Sequence, residues 1–320
     1  MEYVYSKNDL IEDGCSWRED KVYPKSKFDR LICNGWDEAV RKGCFRYTLD
    51  GLKSRVVPGR HGYVIQLNMK RGVERRKPEY IDSLKMPFNP EKFNFTKVRA
   101  DEILFKLVPQ NGILNSKRLT ERGLQLAVEM LLLSSHPGFR VGFNSLCALA
   151  SVNHQHVHGW YLEESIMTEY APVEHVFGPV YEMVSMPTKC FTFQLHGNVF
   201  QDLIGLIYRI LCHFHENEIA HNLFITRGPQ FGKDRNSRER TVRIYLWPRL
   251  SVIGTKNEEG LNVFNVAVAE LAGHIPMYVP ERFDSLTEEE INAEIAKHMF
   301  SDEEYTKIKQ DIIKLLKNMD

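Results

Sequence analysis

Three of the twelve histidines stand at every second position of one short segment, Ala150 to Leu162. If this segment is a β-strand, His154, His156 and His158 lie on one face, about 6.7 Å apart. The valine, tryptophan and tyrosine nearby favour a strand. Each imidazole has two ring nitrogens that need partners, so a row of three is costly to bury without a function. The spacing therefore indicates a functional site, with a purely structural role as the alternative.

Imidazole supports two kinds of chemistry at such a site. The first is metal binding, because neutral imidazole is the commonest metal ligand, and His156-x-His158 followed by Glu163 has the ligand spacing of cupin sites. That pattern requires flanking glycines, which this chain lacks, and three histidines of one strand converge poorly on one ion. The second is nucleophilic attack on phosphorus by His156, whose lone pair is free at neutral pH. His154 and His158 would then orient its ring or donate to phosphoryl oxygens.

The segment NHQHVHGWYL resembles the active-site sequence of the histidine-triad superfamily, in which histidines alternate with hydrophobic residues. Polar Gln155 is the one departure from that pattern. Most of the chain, from about Phe28 to about Pro276, is similar to the GDP-D-glucose phosphorylases. These enzymes are relatives of plant GDP-L-galactose phosphorylase in the galactose-1-phosphate uridylyltransferase branch of the superfamily. The similarity is carried by RVGFNSLCALASVNHQHVHGWYL, FRYTL, GYVIQLNMKRGVERRKPEYI, FNPEKFNFTKVR, EIAHNLFITRG and FNVAVAELAGHIP. The plant enzymes have glutamine where this chain has His158.

The resemblance implies a two-step transfer reaction. His156 would attack the α-phosphorus of GDP-D-glucose and release D-glucose 1-phosphate, leaving a guanylylated histidine. Inorganic phosphate would then attack this adduct and leave as GDP. His154 and His158 match the flanking positions of the superfamily. The reaction needs no cofactor or metal, although magnesium could accompany the nucleotide.

The resemblance also suggests residues that contact the substrate. Asn144 falls where superfamily members use an asparagine near the ribose and phosphates, and Ser151 falls where a hydroxyl meets phosphate. Asn153 is a further candidate. Each of the three is also a residue type that bonds the local backbone in turns and strands, which is the alternative.

A dense basic patch follows GYVIQLNM and suits the pyrophosphate of the substrate or the incoming phosphate. Its arginines are Arg71, Arg75 and Arg76, and the alternative is a solvated basic face. In the second half of the chain, His221 and Asn222 lie at the place matching the first half. They either close the site or support the sheet.

One departure from the relatives lies between Leu107 and Val108. Relatives carry a further strand pair at this point, in the sheet beside the histidine strand. Its absence predicts an uncovered sheet edge and lost packing. Two alternatives to an active phosphorylase therefore remain. One is a guanine-nucleotide or GDP-sugar binding protein with impaired catalysis, and the other is a nucleotide-sugar hydrolase of the same superfamily.

The composition limits the class of partner. Forty-two basic and forty-two acidic side chains cancel, so no overall field favours nucleic acid or an anionic membrane. No run of eighteen apolar residues could span a membrane. The six cysteines are scattered without a Cys-x-x-Cys pair, which is typical of reduced thiols in a cytoplasmic protein. A homodimer is compatible with these features.

Periodicity predicts helices, strands and an internal duplication. Together with the resemblance, it implies an α+β fold with a mostly antiparallel sheet of histidine-triad type and helices packed on it. Helices are expected over 27–42, over 121–133 with Thr120 as the cap, and over about 200–216. Residues 1–25 are expected to form a flexible arm. Residues 26–278 should form one compact unit with halves at about 44–165 and 190–278. Two capping boxes, Ser285 with Glu288 and Ser301 with Glu304, should open a helical tail over 279–320.

Overall fold

The computed structural model describes residues 1–110, 119–184, 186–255 and 263–318. In chain order its strands and helices are β1 (Glu2–Tyr5), α1 (Lys27–Arg41), β2 (Lys53–Val56), β3 (Val64–Leu67), α2 (Met69–Glu74), β4 (Lys106–Pro109), α3 (Glu121–Leu133), β5 (Phe139–Asn144), β6 (His158–Tyr161), β7 (Val173–Phe177), β8 (Val180–Met183), β9 (Phe191–Gln194), α4 (Phe200–Glu216), β10 (Ala220–Pro229), β11 (Arg240–Arg249), α5 (Val268–Ala272), β12 (His274–Met277), α6 (Glu288–Ala296) and α7 (Asp302–Lys317).

A seven-stranded sheet in the order β6-β5-β10-β11-β9-β8-β7 organises the molecule, and all its neighbouring strands are antiparallel. A smaller sheet has the order β12-β3-β2, with β12 parallel to β3. A parallel pair, β1 with β4, stands apart. The structure therefore confirms the predicted α+β class and the mostly antiparallel large sheet.

Two units of helix, strand and strand meet at the centre of this sheet. The first is α3-β5-β6 and the second is α4-β10-β11, and their leading strands β5 and β10 are neighbours. Asn144 lies opposite Asn222 in this pair. The arrangement is what an internal duplication produces. The duplication and its boundaries stay a prediction.

The two faces of the sheet are covered by different elements. Side chains of α3 and α4 cover one face, where Leu124, Ile207 and Leu223 are buried. The other face, which carries Phe224 and Trp247, packs against α5 and the small sheet. Because successive residues of a strand point to opposite faces, the alternation along each strand decides which layer a side chain joins.

The predicted helices are confirmed at their ends as well as in their interiors. Helix α1 covers the first predicted helix, and α4 covers 200–216. The Thr120 hydroxyl accepts from the backbone N–H of Gly123 at 3.0 Å and caps α3 as expected. The box of Ser301 and Glu304 opens α7. The segment FRYTL, residues 45–49, carries part of the family resemblance and forms no strand.

The capping box predicted at Ser285 is wrong. Helix α6 begins after Thr287, whose hydroxyl caps it. The Glu288 carboxylate instead accepts from the backbone N–H groups of Arg60 and His61 at 2.9 and 2.8 Å. This long-range contact joins the start of the helical tail to the loop before β3.

Residues 1–25 lie against the rest of the protein, where the sequence analysis expected a loosely held arm. Strand β1 pairs with β4, and the Tyr5 hydroxyl donates to Glu129 on α3. Farther along, Ile11 N–H donates to Leu132 O at 2.8 Å. The Trp17 indole donates to Glu169 at 2.6 Å. Strand contacts, buried side chains and hydrogen bonds therefore attach this segment along much of its length.

Strand β6 forms one edge of the large sheet. Leu107 and Val108, the point of the expected departure from relatives, belong to β4, which pairs with β1 rather than with β6. Among the described strands β6 thus has β5 as its neighbour, and the loss of a strand pair beside it stays a prediction.

A buried carboxylate fixes the position of this edge strand. Asp29, the third residue of α1, accepts hydrogen bonds from the Tyr161 hydroxyl of β6 at 2.7 Å and from the Ser26 N–H at 3.0 Å. It also accepts from the side chains of Ser134 and Ser135 and from the Ser135 N–H. Burial by itself raises the pKa of Asp29, but these hydrogen bonds outweigh it, and the pKa lies below its ordinary value.

Replacing this carboxylate by an amide tests its role. We expect Asp29→Asn to lower the free energy of unfolding by about 3 kcal/mol at neutral pH, because an amide cannot accept from all these donors. The folded-state pKa is depressed, so the contribution is complete above the unfolded pKa and disappears as pH falls through the folded value. The difference from wild type should hold between about pH 5 and 8 and shrink below about pH 4.

Urea unfolding followed by circular dichroism measures this difference. Asp37→Asn is the matched control, because Asp37 is on the same helix and exposed. It should change the stability by no more than about 0.5 kcal/mol. Equal losses in the two variants would contradict the assigned role of Asp29.

Candidate active site

The histidine row begins before its strand. Strand β6 starts at His158, and His154 to Val157 precede it without strand pairing. The prediction that all three histidines lie on one strand is therefore wrong for His154 and His156. The reason is that pairing stops at Gly142 and His158 although β5 continues to Asn144, so Val157 and the residues before it are not held in the ladder.

The alternation of side chains nevertheless extends through the segment. Gln155 packs over Gly123 in the first turn of α3, and Val157 joins the core on the helix side of the sheet. The rings of His156 and His158 instead contact each other, with centroids 5.1 Å apart. The structure thus brings these two histidines together as the spacing predicted.

One hydrogen bond defines the chemistry of His156. Its Nδ1 lies 2.8 Å from the carbonyl oxygen of His154. A carbonyl oxygen only accepts, so Nδ1 carries the proton and Nε2 has the lone pair. Burial lowers the pKa of His156 below its ordinary value, and its hydrogen bond to the His154 carbonyl opposes this effect. At neutral pH the ring is therefore uncharged, with its lone pair on Nε2.

An aromatic ring that the sequence analysis did not single out covers two of the histidines. The Phe95 ring centroid is 4.8 Å from that of His156 and 5.9 Å from that of His154. Phe95 begins a short 3₁₀ turn that buried Asn94 caps by accepting from the Thr96 N–H at 3.1 Å. Although it contacts the site, Phe95 is 37% exposed. It thus separates the histidine rings from solvent on one side.

Asn144 and Asn222 form a buried network beside the site. The Asn144 Oδ1 accepts from Asn222 Nδ2 at 2.6 Å and from the Val268 N–H at 3.0 Å. Asn222 Oδ1 accepts from Arg249 Nη1 at 3.3 Å. These bonds hold β5, β10, β11 and α5 together. Both asparagines therefore support the sheet, and contact of Asn144 with substrate stays a prediction.

Ser151 and Asn153 attach the histidine segment to the preceding loop. Ser151 O accepts from the Glu79 N–H at 2.9 Å, and the Asn153 N–H donates to the Glu79 carboxylate at 3.2 Å. The Asn153 side chain donates to the carbonyl oxygens of Met86 and Pro87 at 3.1 and 3.0 Å. These contacts are structural, and the predicted phosphate contact of Ser151 is left open.

The structure divides the basic patch into two parts. Arg71 on α2 and Arg75 at its end both lie within electrostatic range of Tyr278, and Arg75 Nε is buried without a partner among the described residues. Arg76 follows in extended chain and forms an ion pair with Glu102 at 2.6 Å. Phosphate binding by these arginines stays a prediction.

His221 has a place in the core rather than beside His156. Its ring packs against Phe143 and Phe214 on the helix side of the sheet, with centroids 6.1 and 5.7 Å away. Its Nδ1 donates to the Ile219 carbonyl at 3.0 Å. Burial lowers its pKa to about 4. The alternative of support for the sheet is the one this packing favours.

A cavity of about 450 Å³ lies next to the Phe95 turn. Phe93, in its wall, contacts Phe95 with ring centroids 5.8 Å apart. Two ring contacts, Phe93 with Phe95 and Phe95 with His156, therefore link the wall of the cavity to His156. It is lined by Gly43, Cys44, Phe45, Arg46, Arg76, Phe93, Lys97, Arg99 and Glu102.

Two observations on the described residues concern metal binding and membrane spanning. Within residues 1–110, 119–184, 186–255 and 263–318, no group of three or more histidine, cysteine, aspartate and glutamate side chains is placed to hold a metal ion. None of the helices in these ranges is long and apolar enough to cross a bilayer.

Comparison with known proteins gives consistent matches along the chain. The family model described as GDPGP1-like, N-terminal domain, matches residues 27–117 and 106–160, and the GDPGP1-like, C-terminal domain model matches 165–319. The two N-terminal matches overlap over residues 106–117, which include the junction of Leu107 and Val108. No solved structure gives a significant match.

Curated relatives match over most of their length. GDP-D-glucose phosphorylase 1 of Danio rerio is 38% identical over 343 residues, covering 98% of each chain. The Homo sapiens protein of the same name is 38% identical over 90% of this chain and 84% of its own. GDP-L-galactose phosphorylase 1 of Arabidopsis thaliana is 25% identical over 95% of this chain and 78% of its own. With these relatives and both family models in agreement, the chain belongs to the GDPGP1-like family.

Proposed function

We propose that this protein converts GDP-D-glucose and inorganic phosphate to D-glucose 1-phosphate and GDP through a guanylylated His156. The observation that carries the proposal is the neutral His156 ring, whose Nδ1 is held by a carbonyl so that Nε2 is left to attack. The relatives named as GDP-D-glucose phosphorylases supply the substrate.

In the first step, Nε2 of His156 attacks the α-phosphorus, and the bond from phosphorus to the bridging oxygen breaks. Glucose 1-phosphate leaves with that electron pair, and the ring gains positive charge. The Nδ1–H to His154 carbonyl bond strengthens as this charge develops, because hydrogen bonds to charged groups are stronger. No base is needed, since the proton stays on Nδ1 throughout.

In the second step, an oxygen of inorganic phosphate attacks the same phosphorus. The bond to Nε2 breaks, GDP leaves, and His156 returns to its neutral form. His158, whose ring centroid is 5.1 Å from that of His156, is placed to donate to phosphoryl oxygens in both steps. Magnesium enters this scheme only with the nucleotide.

One structural observation favours a second candidate function. Among the described strands, β6 has β5 as its one neighbour, and this open edge next to the histidine segment supports a GDP-sugar binding protein with impaired catalysis. Both candidates predict binding of the nucleotide, but only the phosphorylase forms a covalent adduct.

Intact mass after incubation with GDP-D-glucose in phosphate-free buffer separates the two functions. We expect a guanylyl adduct on the wild type and none on His156→Asn, because the asparagine has no nucleophilic nitrogen. His175→Asn is the control, since His175 is exposed on β7, and it should be labelled like the wild type. Added phosphate should discharge the adduct as GDP. A folded wild-type protein without an adduct would contradict the phosphorylase.

The pH dependence of adduct formation tests the state of the nucleophile. The pKa of His156 is lowered, so its ring stays neutral at pH values where an exposed histidine is already protonated. The single-turnover labelling rate should thus be flat from about pH 8 down to about pH 6. A rate that falls by half near the ordinary histidine pKa would show that burial does not control this ring.

Removing the Phe95 ring tests whether it protects the adduct. We expect Phe95→Ala to admit water, so that the adduct is also hydrolysed and GMP appears beside GDP. The exposed His156 ring should also regain a pKa closer to its ordinary value. Phe95→Leu retains apolar cover and is the matched control. The measurement is the ratio of GMP to GDP by chromatography, and an unchanged ratio in Phe95→Ala would refute a protective role.

A further inference from the structure

A charged pair and an aromatic ring share one wall of the cavity beside the Phe95 turn. Arg76 Nη2 donates to both carboxylate oxygens of Glu102, at 2.8 and 2.6 Å. The Arg76 guanidinium also lies 4.6 Å from the centroid of the Phe93 ring. The ring, the cation and the carboxylate are thus held in a fixed relation at the surface of one cavity.

Each member of this pair has hydrogen-bonding capacity to spare. A guanidinium has five N–H donors and a carboxylate about four acceptor sites. Among the described residues, Arg76 and Glu102 use only part of this capacity on each other and on the Arg99 N–H, which lies 3.3 Å from Glu102. A ligand in the cavity would meet donors beside acceptors, next to a flat apolar surface.

Guanine has the complementary pattern. Its O6 and N7 are acceptors that arginine binds bidentately, and its N1–H and 2-amino group are donors on the adjoining edge. Adenine has the opposite pattern at two of these positions, a donor at N6 and an acceptor at N1. A carboxylate beside a guanidinium therefore favours guanine, whereas stacking on an aromatic ring accepts any base.

The position and charge of the cavity suit the nucleoside end of a GDP-sugar. Phe93 contacts Phe95, which contacts His156, so a base in the cavity leaves the α-phosphate to reach the nucleophile. Three more cations line the same cavity and favour a polyanionic ligand. They are Arg46, Lys97 and Arg99.

We propose that the guanine base binds in this cavity, in the plane of the Arg76 guanidinium and against the part of the Phe93 ring that Arg76 leaves uncovered. Glu102 accepts from N1–H and the 2-amino group, and Arg76 donates to O6 and N7. This inference rests on the proposed function for its substrate and makes Glu102 the residue that determines base specificity.

Inosine diphosphate is the sharpest probe, because it lacks only the 2-amino group of GDP. We expect the wild type to bind it about tenfold more weakly than GDP, since a hydrogen bond to a charged group is lost. In Glu102→Gln the ratio of the two dissociation constants should fall to about threefold or less, because a neutral acceptor discriminates less. Isothermal titration calorimetry of both ligands against each protein gives the ratios.

Two variants control for general damage to the cavity. Glu74→Gln makes the same change of charge two residues from Arg76, at an exposed side chain outside the cavity lining, and should keep the wild-type ratio. Phe93→Leu should weaken the binding of GDP, inosine diphosphate and ADP by similar factors. Thermal melting confirms that each variant is folded.

Equal affinity of the wild type for GDP and inosine diphosphate would overturn the assignment to Glu102. A ratio that falls equally in Glu74→Gln and Glu102→Gln would also overturn it. These outcomes are separate from the proposed function, which the covalent adduct on His156 tests. An adduct without discrimination between the two diphosphates would refute the guanine site alone.

Discussion

The buried carboxylate of Asp29 is the contact on which the geometry of the site depends. Strand β6 is four residues long, lies at a sheet edge and has β5 as its neighbour in the sheet. Such a strand has few ladder bonds to hold its register. The Tyr161 hydroxyl attaches it to Asp29, which also receives hydrogen bonds from the start of α1 and from the turn after α3. The histidine segment therefore precedes a strand whose last residue, Tyr161, is held in place by Asp29.

Burial has two consequences at His156 that act together. Contact with Phe95 and His158 removes the ring from water, which lowers its pKa and leaves it neutral. The same contact would exclude water from a phosphorus–nitrogen adduct, whose only acceptor should be phosphate. A phosphorylase needs both properties, because an exposed imidazole would lose its lone pair to protons in mild acid and its adduct to hydrolysis.

The parts of the fold that the sequence predicted well are those decided by local chemistry. Helix α3 follows from a threonine cap and apolar spacing, and both lie within one segment. The start of α6 was mispredicted because Ser285 and Thr287 each head a box ending in glutamate. The box at Ser285 is excluded because the Glu288 carboxylate instead accepts from the backbone N–H groups of Arg60 and His61, which are distant in sequence. The early part of the histidine row failed for a similar reason, since the alternating spacing does not determine that pairing with β5 stops at His158.

The candidate site likewise contains residues that local spacing predicted and residues that only long-range contacts bring together. Spacing identified His156, but it could not identify Phe95 or Glu102, which tertiary folding brings near the histidine segment. The basic patch shows why residue type alone does not assign a role. Helix α2 ends at Glu74. Arg71 therefore lies on the helix, whereas Arg76 lies in extended chain and forms an ion pair with Glu102. An arginine whose charge is already paired is a poor ligand for free phosphate. It is a better ligand for the edge of a neutral base, where geometry matters more than net charge.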